Sequence, residues 1–175
     1  MEGPNSRSEC PEEEDSRRMA PGRPWLVELD VYLEEDTDPP KFRIESTLPI
    51  DNSDPEDPIL IFQNKGRPGF ELQFHLYDQT GKSYRFPIDE DDAVWSIIAD
   101  EGCPTSKVHQ VLKPTRVSRP NGTTLFVEND NEEKDGEPIG KFRYTLNVST
   151  TGRAPYLPLD PGGVDQDGPR TLNFR

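Results

Sequence analysis

The chain has 175 residues, of which 34 are acidic and 20 basic, so its formal charge is −14, and only 30% of its residues are apolar. This length and composition predict one domain of ordinary size with a thin core. The 19 prolines and 13 glycines disfavour helix and argue against an all-helical fold. The negative charge repels phosphate backbones and anionic lipids, so no nucleic acid and no membrane is expected as a partner, whereas a basic protein fits.

The sequence contains no targeting signal that we recognise. No apolar run approaches the ~18 residues of a membrane span. The acidic opening at residues 1–15 lacks the basic start and the apolar stretch of a signal peptide. We therefore expect a soluble, cytoplasmic protein in which Cys10 and Cys103 are free thiols.

Composition divides the chain into three parts. Residues 1–23 are rich in Pro, Glu, Ser and Arg and cannot bury enough apolar surface to offset the entropy of ordering, which predicts a disordered acidic leader. Residues 24–163 are expected to form the folded domain. Residues 164–175 form a C-terminal tail, in which Leu172 and Phe174 suggest an additional edge strand.

Alternation of apolar and polar residues, the period of a half-buried strand, begins at Trp25 and recurs along the domain. It predicts about eight short strands, the clearest of which are residues 25–33, 69–77 and 142–148. The turn residues 78–81 join the second of these to a strand at 84–88 in a predicted hairpin.

This pattern predicts an all-β fold, an antiparallel β-sandwich of two sheets, Ig-like or related. Residues 90–99 are the exception, because acidic residues precede an apolar run there. That order is compatible with one short helix.

One tripeptide, Gly81-Lys82-Ser83, resembles the end of a phosphate-binding loop. The glycine that should precede it by five residues is replaced by Leu76, and the tripeptide joins two predicted strands instead of opening a helix. We interpret it as a hairpin turn and predict no catalytic residue and no cofactor. The alternative is a nucleotide-using enzyme, for which Lys82, Ser83 and Arg85 are the candidates.

Acidic clusters suggest a second alternative, a calcium-binding β-sandwich. Calcium takes six to eight oxygen ligands from flexible loops, and Asp160, Asp165 and Asp167 are the metal candidates. The D-x-D-G that begins at Asp165 lacks the glutamate that completes a calcium loop, so solvated turns explain these charges better than calcium binding does. The two histidines, His75 and His109, do not suffice for a zinc site with the cysteines, and His75 is expected on the polar face of its strand.

Several stretches together resemble a family of small, uncharacterised bacterial proteins of the DP-EP type, some of which carry the label "nucleotide synthetase". The resemblance covers about residues 58–163 and is carried by Pro68-Gly69-Phe70-Glu71-Leu72-Gln73-Phe74, Tyr84-Arg85-Phe86-Pro87, Ala93-Val94-Trp95-Ser96, Gly140-Lys141-Phe142-Arg143-Tyr144-Thr145-Leu146 and Leu157-Pro158-Leu159-Asp160-Pro161-Gly162-Gly163. It implies a compact β-sandwich and brings no catalytic residues. The residues here do not support a synthetase activity, which needs groups for phosphate and metal.

These observations favour a non-enzymatic binding or assembly module over an enzyme. The strand pattern is complete, and the sequence contains no specific catalytic motif. The partner is expected to be another protein or a second copy of the chain. The aromatic residues best suited to anchor it are Trp25, Tyr77, Trp95 and Tyr156, although Trp95 fits a core position better.

Overall fold

The computed structural model describes residues 24–54, 57–63, 69–129, 133–134 and 137–165. The predicted leader and residues 166–175 lie outside them. The strands in chain order are β1 (Trp25–Glu35), β2 (Lys41–Ser46), β3 (Ile50–Asp51), β4 (Ile59–Phe62), β5 (Phe70–Asp78), β6 (Val94–Ile97), β7 (Leu112–Val117), β8 (Thr124–Asn129), β9 (Glu133–Lys134), β10 (Glu137–Pro138), β11 (Gly140–Val148), β12 (Leu157–Leu159) and β13 (Gly162–Asp165).

The described strands form two main sheets. The five-stranded sheet has the order β2-β1-β5-β8-β7. The six-stranded sheet has the order β12-β11-β13-β4-β3. Strand β6 is its sixth strand and also pairs with β11. Strands β9 and β10 form a separate two-stranded ladder. The predicted all-β, two-sheet architecture is confirmed.

The alternation that predicted the first strand is the alternation that builds the core. Val27, Leu29, Val31 and Leu33 of β1 are all completely buried, while the residues between them lie towards the outside. Strand β5 repeats the pattern. Ring contacts join the two layers, since Phe62 of β4 meets Phe70 of β5 edge-on at 5.1 Å between centroids.

The sequence pattern predicted purely antiparallel sheets, but both sheets are mixed. β1 runs parallel to β5 over nine residue pairs, from Trp25 opposite Phe70 to Leu33 opposite Asp78. β13 runs parallel to β4. Side-chain alternation is the same in parallel and antiparallel strands, so the pattern carries no information on direction. The long connection from β1 to β5, which passes through the other sheet, allows the parallel pairing.

Two local predictions differ from the structure. Residues 84–88 do not form a hairpin with β5, because β1 and β8 already pair with both edges of β5. Instead Arg85 exchanges backbone hydrogen bonds with Ser149, next to the end of β11. The helix predicted at 90–99 is limited to a 3-10 turn at Glu90–Asp92, after which Val94–Ile97 continue as β6.

Strand β11 is buried on both faces. Its residues Phe142, Tyr144, Leu146 and Val148 lie in the core, and its polar residues 143, 145 and 147 are also buried. The connection between β6 and β7 covers the second face. Arg143 donates from Nε to the carbonyl of Asp100 at 3.1 Å, and Thr145 donates to the carbonyl of Pro104 at 2.8 Å.

Candidate functional site

The outer face of the five-stranded sheet carries a row of stacked side chains from three neighbouring strands. The registers place Arg43 of β2 opposite Tyr32 of β1, and Tyr32 opposite Tyr77 of β5. The Arg43 guanidinium carbon lies 3.8 Å from the centre of the Tyr32 ring. On the other side, the rings of Tyr32 and Tyr77 stack at 4.9 Å with 17° between their planes.

This row is open at the Tyr77 end. Tyr77 is 46% exposed, which is high for a tyrosine in an interior strand. Strand β8 pairs with β5 only as far as the pair formed by His75 and Thr124, so Tyr77 lies beyond the end of that ladder. At Tyr77 the paired strand is β1 alone.

Carboxylates surround the row. Glu34 accepts a hydrogen bond from Nε of Arg43 at 3.2 Å, and Glu45 pairs with its Nη1. Asp30, and to a smaller degree Glu28, raise the pKa of the Tyr77 hydroxyl, because a phenolate beside negative charges is disfavoured. The face therefore combines an exposed aromatic ring with negative charge.

His75 lies beside the row on the outer face of β5, as the sequence predicted. Its Nδ1 is 3.2 Å from the hydroxyl of Thr124, and its Nε2 is 3.7 Å from a carboxylate oxygen of Glu28. His109 contacts the backbone carbonyl of Asp91 at 3.0 Å. Both rings are placed by these polar contacts.

The turn at Gly81-Lys82-Ser83 is organised around a carboxylate. Asp78 accepts hydrogen bonds from the backbone amides of Thr80, at 2.8 Å, and Tyr84, at 3.1 Å. A phosphate-binding loop offers such amides to its ligand, so here the carboxylate of Asp78 occupies the place of the anion. These contacts indicate an Asx-type turn.

The candidate phosphate-contacting side chains are also occupied. The Lys82 ammonium lies 2.6 Å from Asp36, and Tyr84 donates its hydroxyl to the same carboxylate oxygen at 2.8 Å. Arg85 donates to the carbonyl of Thr150 at 3.2 Å. Ser83 is exposed with a positive φ of 63°.

A groove of about 680 Å³ lies between the β1–β2 connection and β12. Its lining includes Pro39, Phe42, Pro158 and Asp160. The carboxyl of Asp160 is 2.8 Å from the hydroxyl of Thr145, which also contacts the Pro104 carbonyl. Desolvation on this side raises the pKa of Asp160.

Of the three calcium candidates, the structure describes the side chain of Asp160 alone. Asp160 borders the groove, whereas the backbone of Asp165 lies at the end of β13, roughly 16 Å further along an extended chain. Asp167 lies outside the described residues. Among the residues that the structure does describe, no three His, Cys, Asp or Glu side chains are close enough to share a metal ion. The calcium site stays a prediction.

Cys103 is half-buried beside β13. Its thiol lies 3.8 Å from the carbonyl of Pro161, to which it donates. Burial, with the nearby negative charge of Asp160, raises the pKa of Cys103 to about 12. The sulfur is therefore protonated at neutral pH and is a poor nucleophile. Cys10 lies outside the described residues.

The structure distinguishes among the four predicted aromatic anchors. Trp25 packs against the core, and Trp95 is half-buried with its indole N–H enclosed by protein. Tyr156 donates its hydroxyl to Asp92 at 3.1 Å. Tyr77 presents the most open ring. Tyr32 and Arg43, which complete the row, were missed because only the pairing of β1 with β5 brings them beside Tyr77.

No family model and no curated protein matches this chain. Within the described residues, no helix has the length and apolar character that crossing a membrane requires. The resemblance to the DP-EP type therefore stays a prediction.

Proposed function

We propose that this chain is a non-enzymatic protein-binding module and that the outer face of the five-stranded sheet is its binding surface. The observation that carries the proposal is the stacked row from Arg43 to Tyr77, which ends in an open aromatic ring. Tyrosine is enriched at protein interfaces because its ring offers apolar area while its hydroxyl keeps a polar contact.

The charge around the row selects the kind of partner. Asp30 and Glu28 lie near the exposed ring, and the whole chain carries a formal charge of −14. Such a surface attracts cationic segments and speeds their encounter, and it discriminates against acidic ones. The proposed partner is therefore a protein that presents a basic segment.

The proposal can be tested with labelled basic and acidic peptides of equal length, by fluorescence anisotropy. The basic peptide is expected to bind and the acidic peptide to show no binding. Tyr77→Ala should lower the affinity for the basic peptide by about tenfold, because one interface anchor is lost. Ile98→Ala removes another exposed apolar side chain away from this face and should leave binding unchanged.

Two outcomes would contradict the proposed binding function. Equal binding of both peptides, or an affinity that Tyr77→Ala does not change, would contradict the proposal. Tyr77→Ala also removes the stack on Tyr32, so a modest fall in its unfolding midpoint is expected, and peptide binding is compared at a temperature at which both variants are folded.

A further inference from the structure

We propose that the open face of the Tyr77 ring is a slot for the guanidinium group of an arginine on a partner protein. The inference rests on the proposed function and names the chemical group that the surface recognises. It starts from the contact that the row already makes at its other end, where a guanidinium covers a tyrosine ring.

The existing contact shows what this chemistry can hold. Arg43 lies with its guanidinium carbon 3.8 Å from the Tyr32 ring centre, and Glu34 fixes it through a hydrogen bond of 3.2 Å. The same arrangement occurs elsewhere on the face, with Arg116 of β7 3.9 Å from the ring centre of Phe126. Stacking of arginine on aromatic rings is thus a repeated feature of this sheet.

Tyr77 offers the same kind of surface without an occupant from its own sheet. Its ring is within 17° of parallel to Tyr32, so one face is covered and the other is directed away from the stack. Strand β8 pairs with β5 only up to His75, and the Tyr77 side chain is 46% exposed. A guanidinium on the free face would extend the row by one layer.

Neighbouring carboxylates supply the second half of the recognition. In the row, Glu34 and Glu45 hold Arg43 while it stacks. Asp30 and Glu28 lie on β1, the strand that carries Tyr32, and their negative charge acts on the hydroxyl end of the Tyr77 ring. A planar cation on the free face of the ring that extends to this hydroxyl edge would meet that negative charge.

This geometry favours arginine over lysine. A guanidinium is planar and weakly hydrated, so it loses little solvation when it stacks, and its N–H groups extend in the ring plane towards a carboxylate. An ammonium is compact and strongly hydrated, so it gains less from the ring. Citrulline has nearly the same shape as arginine and no charge, and should bind more weakly than both.

The test uses three peptides that differ only in one central residue, arginine, lysine or citrulline, in an otherwise basic sequence. Binding to the full chain is measured by isothermal titration. The arginine peptide should bind about fivefold more tightly than the lysine peptide, the scale of an exposed cation–π contact. Tyr77→Phe should preserve this preference and Tyr77→Leu should abolish it.

Asp30→Asn should lower the affinity for the arginine peptide severalfold. The matched control is Glu71→Gln, which removes the charge of an exposed carboxylate at the other end of β5 and should leave the affinity unchanged. If arginine and lysine peptides bind equally but Tyr77→Leu still weakens both, the guanidinium slot is refuted and the proposed binding function stands. If no peptide binds, or Tyr77→Leu changes nothing, both are refuted.

Discussion

A single glycine fixes how closely the two central strands of the six-stranded sheet approach. Gly163 of β13 lies opposite Phe142 of β11, whose ring is completely buried. A Cβ atom at position 163 would lie 2.8 and 2.9 Å from the two Cε atoms of that ring, closer than real contacts allow. The ring cannot move away, because Phe62 and Tyr144 pack against it.

We expect Gly163→Ala to destabilise the fold by about 1–3 kcal/mol through overpacking. The measurement is the free energy of unfolding in urea. Gly81→Ala is the control, because Gly81 has a positive φ of 79° but open space around it. That change should cost only backbone strain, about 1 kcal/mol. A larger loss at position 81 than at 163 would contradict the packing argument.

Asp160 shares one hydroxyl proton with a backbone carbonyl. Thr145 Oγ1 is 2.8 Å from both the Pro104 carbonyl and the Asp160 carboxyl, but it has a single hydrogen to donate. The hydroxyl therefore donates either to the carboxylate or to the carbonyl, and its hydrogen bond lowers the pKa of Asp160 by less than desolvation raises it. The pKa of Asp160 is raised above 3.8, chiefly by desolvation.

Because the carboxyl pKa is higher in the folded chain, the unfolded chain loses this proton at a lower pH than the folded chain does. The free energy of unfolding therefore falls as the pH rises from the ordinary pKa through the raised one. Asp160→Asn keeps a donor and has no charge. Relative to the parent, its free energy of unfolding should increase as the pH rises from about 4 to neutrality. The gain should stay below about 1 kcal/mol, since the residue is exposed at the groove and solvent screens it.

Asp36→Asn provides a control of opposite sign. Lys82 and Tyr84 lower the pKa of Asp36, so its contribution is complete above the ordinary pKa and is lost as the pH falls through the lowered one. This variant should therefore lose stability relative to the parent as the pH rises. If both variants change in the same direction with pH, the assignment for Asp160 is wrong.

At the level of elements, one hydroxyl ties β6 to the start of β7 and so joins the two sheets. Ser96 is completely buried and accepts hydrogen bonds from the amides of Val111, at 3.1 Å, and Leu112, at 2.8 Å. Its own proton points to the carbonyl of Leu112 at 3.3 Å. The backbone of Ser96 pairs with residues 108–110, and its hydroxyl extends this pairing to the first residue of β7.

Ser96→Ala should cost about 1–3 kcal/mol, because it leaves buried amides without an acceptor. Ser118→Ala is the matched control. The Ser118 hydroxyl also accepts a backbone amide, that of Thr124 at 3.0 Å, but it is only half-buried and water can replace it. Chemical denaturation of both variants is the measurement, and an equal cost at the two positions would count against burial as the cause.

The strands themselves were largely predictable, because local alternation decides which residues are buried. Strands β1, β5 and β11 follow the predicted segments closely. Their partners were not predictable in the same way. Tyr84 to Ile88 alternate like a strand, yet they meet Ser149 and Gly152 in the loop after β11. Which edge is free for pairing depends on the other strands, and that information is not local.

At the scale of the whole molecule, the same limit applies to the candidate site. Tyr77 could be chosen from the sequence as an amphipathic residue on a strand. Its importance depends on Tyr32 and Arg43, which lie 45 and 34 residues away in the chain and meet it only through strand register. The open ring also depends on where β8 begins. A surface assembled across three strands leaves no motif of fixed spacing.

The position of β13 has a consequence for how the protein is made. This strand is late in the chain, yet it lies between β11 and β4 and joins the two parts of its sheet. Until residues 162–165 have been synthesised, the Ile59–Phe62 strand has no partner on that side and its apolar residues have no complete sheet to enter. The nascent chain must therefore keep an unfinished β-edge from aggregating while the residues between β4 and β13 are synthesised, and the sheet closes only after β13 has been made.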